Sequence, residues 1–131
     1  MPGKKSKVKQ SFLVNLLKMF HQNFNSLFPG RDHLELASTS VLHNFAFSLQ
    51  EQPDQDLAFL LTSALSTVCV VKVKNFDALH RVISTLILLI SGDAETKDLA
   101  LALDLKMTLQ NLTKLDKNVE SAALECVSLL N

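Results

Sequence analysis

A chain of 131 residues that is 47% hydrophobic, with 3 Gly, 3 Pro and neither Trp nor Tyr, is long enough for one domain with a core and too poor in turn formers for a β-rich fold. Formal net charge is +0, but Lys4, Lys5, Lys7 and Lys9 crowd the start, leaving nine basic residues against 13 acidic ones and a body charge near −4. Such a body is a poor phosphate binder, which argues against nucleic acid, and apolar runs such as Leu86 to Ile90 fall far short of the roughly 18 residues a membrane span needs.

Residues 1–11 read as a basic, disordered leader and 12–131 as a single helical domain. No signal-peptide apolar segment follows the basic start. Phe12, Leu13, Leu16, Leu17, Phe20, Phe24 and Leu27 recur at steps of one, three and four, the stripe of an amphipathic helix that Ser11 can cap. Phe28-Pro29-Gly30-Arg31 breaks it. Asp32 can then cap a second helix through Leu34, Ala37, Val41, Leu42, Phe45 and Leu49, which Gln52-Pro53-Asp54 ends. A third starts at Asp54 or Gln55 and turns Leu57, Leu60, Leu61, Ala64, Leu65 and Val68 inward. Its β-branched tail, Cys69 to Val73, resembles a strand, but a lone strand would leave its backbone groups unpaired, so the tail reads as helical or frayed.

Asn75 caps the next helix, which ends at Ser91-Gly92, where Gly92 would take the left-handed position just past a helix end. Ala94 to Leu103, a short piece around Leu105 to Leu112, and Lys117 to Leu130 capped by Asp116 complete the chain. The expectation is an all-α fold of about six helices without a sheet. Helices starting near residues 34, 76 and 118 are about 42 residues apart, within the roughly 40–47-residue period of armadillo and HEAT units. Three such repeats would stack and leave a concave surface.

Catalytic signatures are absent. There is no Gly-x-Ser-x-Gly and no Gly-rich phosphate loop, and Cys69 and Cys126 lack a Cys-x-x-Cys spacing. The cysteines read as reduced core thiols of a cytoplasmic or nuclear protein. His21, His33, His43 and His80 form no metal-ligand motif, so they read as ordinary surface or groove histidines. No enzyme activity, cofactor or metal is expected. A thiol-dependent enzyme on either cysteine, or membrane-surface attachment through Lys4 to Lys9 and the first helix, are the outlying alternatives.

Two cations interrupt the most apolar stretches: Lys18 in FLVNLLKMFHQNF and Arg81 in NFDALHRVISTLILLI. A buried, unpaired charge costs several kcal/mol, roughly. Each must therefore reach water, snorkel, pair with a carboxylate such as Asp77 for Arg81, or open onto a ligand-facing groove. Arg in such a groove can grip a carboxylate through two parallel hydrogen bonds.

The same residues resemble a known family. FLVNLLKMFHQNF is similar to the PUL-domain helix with a Leu-Arg-Thr-Phe core, and LASTSVLHNFAFSL to the following helix with its Asn. NFDALHRVISTLILLISGD resembles the segment in which an acidic residue precedes Arg and an apolar run ends in Ile-Ser-Asp. ESAALECVSLLN resembles the closing Cys-containing helix. The likeness runs in order over roughly 12–131, about the second half of a full PUL domain.

PUL domains, of the phospholipase A2-activating protein family, are armadillo-like superhelices. The resemblance implies a non-catalytic adaptor of ubiquitin-dependent degradation and membrane trafficking, binding the acidic C-terminal tail of the AAA ATPase valosin-containing protein. Family arginines that clasp the tail fall at Lys18 and Arg81, and Asn44 belongs to the same implied site. Lys18 keeps the charge but loses the planar fork, and Ile87 stands where the family often has a small residue. A truncated repeat stack would also expose an apolar end, through which a homodimer could form. The contrasting reading is a structural helical domain that acts through self-association, without a tail-binding groove.

Overall fold

The computed structural model of the chain describes Asn15 and residues 32–70 and 75–131. Among them it is entirely helical: α1 (Asp32–Glu51), α2 (Gln55–Val70), α3 (Phe76–Gly92), α4 (Ala94–Ala102), α5 (Leu105–Leu112) and α6 (Lys117–Leu130). The predicted helix over 12–27, with Lys18, lies outside the described residues. So do Val71 to Val73, whereas Cys69 and Val70 form the last turn of α2.

Local chemistry sets the helix starts. The Asp54 carboxylate accepts the Leu57 N–H at 3.2 Å, Asn75 Oδ1 accepts that of Ala78 at 3.1 Å, and Asp116 Oδ2 accepts that of Asn118 at 3.0 Å. Each supplies an acceptor to an N–H that has no partner within its own helix. One terminus departs from expectation. Gly92 does not take the left-handed position; it is the last helical residue of α3, and the chain leaves through Asp93 in an extended conformation (φ −156°). Asp93 ends α3 and caps α4 at once, which leaves no residue over for a left-handed turn. The left-handed residue is Asp104 (φ 57°), between α4 and α5, a side-chain type that tolerates this region better than most.

Hydrogen bonds between helices fix their directions. Arg81 of α3 reaches Ser40 of α1, and His43 of α1 reaches Thr85 of α3. Residue numbers rise together at an offset of 41–42, so α1 and α3 run parallel. Lys97, at the start of α4, touches the carbonyl of Asn131, which brings the end of α6 beside the end of α3. Those helices are parallel too. Gln55, opening α2, bonds to Asp93 and Glu95, opening α4. The result is a two-layer, repeat-like stack with α1, α3 and α6 in one layer and α2 and α4–α5 in the other.

α3 is the central helix, in contact with α1, α2, α4 and α6. Its Ala78, Leu79, Val82, Ile83, Leu86, Leu89 and Ile90 are buried, at the steps of one, three and four that make a helical face. All six helices contribute to one apolar cluster, and each fully buried Leu or Ile in it contributes about 1.5–3 kcal/mol before conformational entropy is counted. Ile87 is half-buried against that cluster. Helix α6 is the last helix in chain order and packs against α3 and α5. Its exposed positions include Lys117, Asn118, Glu120, Ser121 and Glu125, with Leu124 the large apolar exception.

Candidate functional site

Ser40, His43 and Asn44 stand at i, i+3 and i+4 on α1 and therefore share a face. His80, Arg81 and Ser84 stand at i, i+1 and i+4 on α3. Because the helices run parallel at an offset of 41–42 residues, the two sets face each other across a cleft of about 330 Å3. Arg81 and Asn44, 37 positions apart in sequence, are thus brought to one place. Lys18, the third predicted site residue, lies outside the described residues.

The cleft is built on a chain of hydrogen bonds. The Thr85 hydroxyl, fully buried, donates to the Arg81 carbonyl at 2.7 Å. That spends its one proton, so toward His43 Nδ1, 3.2 Å away, it can only accept. Nδ1 of His43 must then be the protonated nitrogen, and in the neutral ring Nε2 is left as an acceptor. The Arg81 guanidinium donates through Nη1 to the Ser40 hydroxyl. Backbone, hydroxyl and imidazole thereby tie the turn of α3 that carries Arg81 to the opposite helix.

The lining holds one guanidinium, two imidazoles, two hydroxyls and one carboxamide, and no carboxylate among the described residues. Arg stays charged throughout the physiological range, so the cleft favours an anionic or acceptor-rich group. The sequence leaves His43 and His80 as ordinary surface or groove histidines, without choosing between the two, and it does not single out Ser40, Ser84 or Thr85. A usable signal was present: the 42-residue spacing, applied residue by residue, sets His43 opposite Thr85.

The thiols are unsuited to nucleophilic work. Cys69 and Cys126 are both buried and free. Burial, and for Cys69 the nearby Cys126, pushes its thiol up to about 12. Burial and Glu125 do the same to Cys126, also to about 12. A negligible fraction is thiolate at neutral pH, and the thiolate is the nucleophile. No Cα of α2 comes within 8 Å of one in α6 among the described residues, which is beyond disulfide reach.

No group of three or more His, Cys, Asp or Glu among the described residues could hold a metal ion. No described helix is long and apolar enough to cross a membrane. Comparison of the chain with protein-family models, with curated proteins and with solved structures returns no match.

Proposed function

We propose that this chain is a non-catalytic interaction module that takes an acidic peptide in the cleft between α1 and α3. The observation that carries this reading is the composition of the lining: six polar side chains from two parallel helices, with the charge of Arg81 among them and no carboxylate among the described residues. A peptide carboxylate gains charge-assisted hydrogen bonds there, roughly twice as strong as neutral ones. The PUL-like sequence features nominate the acidic C-terminal tail of valosin-containing protein as the peptide, an armadillo-type repeat as the scaffold, and ubiquitin-dependent degradation as the setting. A two-layer stack with a register of 41–42 residues supports that scaffold.

Titration of the full chain with the synthetic tail peptide tests the proposal. Arg81 is half-buried rather than in the core, so Arg81→Ala is expected to weaken binding by about tenfold, a loss near 1.4 kcal/mol, while loss of its bond to Ser40 lowers the melting temperature by only a few degrees. Arg81→Lys, keeping the charge without the fork, should fall between the two. Lys18→Ala measures the share of the second cation that the resemblance nominates. A wild-type chain that leaves the peptide unbound would return the assignment to a structural domain acting through self-association.

A further inference from the structure

His43 is held by one of its two ring nitrogens. Thr85, fully buried, gives its only proton to the Arg81 carbonyl, so it accepts from His43 and fixes the proton of the neutral ring on Nδ1. Nε2 then carries a bare lone pair. The ring lines the cleft with Nδ1 turned toward Thr85, and Nε2 has no hydrogen-bond partner among the described residues, so it is the polar atom left to meet an occupant.

That atom is wrong for an anion. Arg81, the lining hydroxyls and the Asn44 carboxamide offer donors to a carboxylate, whereas neutral His43 sets an acceptor against it, and two acceptors with no proton between them repel. A proton on Nε2 reverses the sign. In the imidazolium both nitrogens donate, so Nδ1 keeps its bond to Thr85 while Nε2 gains a charge-assisted bond to the ligand. Nothing in the relay has to break.

The charged groups around the ring leave the counter-charge to the ligand. Across the cleft α3 brings His80 and Arg81, and its one carboxylate, Asp77, is exposed and outside the lining. On α1 no acidic or basic residue other than His43 stands between Thr39 and Phe47, and Glu51 follows about two turns later. Helix α2, also in contact with α1, carries Asp56 in its first turn and the neutral thiol Cys69 near its end.

We infer that His43 is a specificity residue of the cleft and that the acidic ligand binds together with one proton, taken up at Nε2. This rests on the acidic-peptide reading above and adds its regulation. Because imidazole changes charge between about pH 5 and pH 8, affinity rises as pH falls through that range, while the peptide's carboxylates, which titrate near about 4, stay ionised.

Calorimetric titration of the full chain with the synthetic tail peptide between about pH 6 and pH 8 tests this. Repeating it in buffers of different ionisation enthalpy counts the protons taken up. Affinity is expected to be about tenfold higher at the acid end, with net uptake of up to roughly one proton per peptide near about pH 7. His43→Asn keeps a donor near the place of Nδ1 and should flatten the pH dependence, whereas His80→Asn should leave it in place. Thr85→Val is the sharper variant because the imidazole stays. Without the buried acceptor the neutral ring can carry its proton on Nε2, so the affinity at the alkaline end should approach that at the acid end. In the wild type, ring-nitrogen chemical shifts near about pH 7 should show Nε2 of His43 becoming protonated as peptide is added.

A pH-independent affinity without proton uptake, with Arg81→Ala still weakening it, would overturn the coupling and leave the acidic-peptide reading standing. A pH dependence that survives His43→Asn, or that vanishes in His80→Asn, would do the same. No binding at any pH would overturn both.

Discussion

At the scale of single residues, Thr85 carries more than its size suggests. Its hydroxyl serves the Arg81 carbonyl on its own helix and the His43 ring on the neighbouring one, and it has no access to water. Thr85→Val keeps the volume but strips two groups of a partner at once. The expected cost is about 1–2 kcal/mol in urea denaturation, with loss of a fixed His43 tautomer in the ring-nitrogen chemical shifts. A variant with wild-type stability and an unchanged His43 spectrum would show that the relay does not order the cleft. Ser40 and Arg81 make the second tie between the helices, so positioning of the cleft and its recognition chemistry share residues.

At the scale of elements, Asp93 joins α3 to α4. Its carboxylate accepts from Gln55 and from Thr96, and these bonds, Gln55 foremost, hold it below the ordinary carboxylate value of 3.8. The sign follows from proton linkage: when the folded value is the lower one, the stabilisation is present above the unfolded value and is lost as pH falls through the folded one. Part of the acid-limb loss of stability, setting in as pH drops below about 3.8, therefore belongs to Asp93. Asp93→Asn should flatten that limb in urea titrations compared between about pH 5 and pH 3, and an unchanged slope would contradict the assignment. The other starts, at Asp54, Asn75 and Asp116, work by the same acceptor-to-backbone chemistry.

At the scale of the whole molecule, two layers share one apolar cluster and leave a groove between the parallel helices α1 and α3. The same arrangement decides where association with a second copy has room. Helix α6 carries a polar outer face on which Leu124, 53% exposed, is the large apolar side chain. A single leucine offers far less than a specific interface buries. Leu124→Glu is therefore expected to leave the oligomeric state unchanged in light scattering at high concentration. A shift to smaller species would make α6 an interface.

Helix positions and the caps at Asp54, Asn75 and Asp116 were legible in the chain because they depend on neighbours a few residues away, whereas Asp32, expected as a cap, is the first residue within α1. Apolar steps of one, three and four, the Asp or Asn before three of the stripes, and the Pro53 break act locally. The spacing of starts near 34, 76 and 118 likewise foreshadowed the parallel register of α1 and α3. Gly92 was misread because the rule for glycine at a helix end ignores a following Asp that can end one helix and cap the next. What tertiary structure alone decided is the cleft: Arg81 beside Ser40, Thr85 beneath His43, and Asn44, His80 and Ser84 gathered around them. These pairings join residues some 41–42 positions apart. Local periodicity fixes which face of each helix is buried, but only packing against α3 selects which residues then meet.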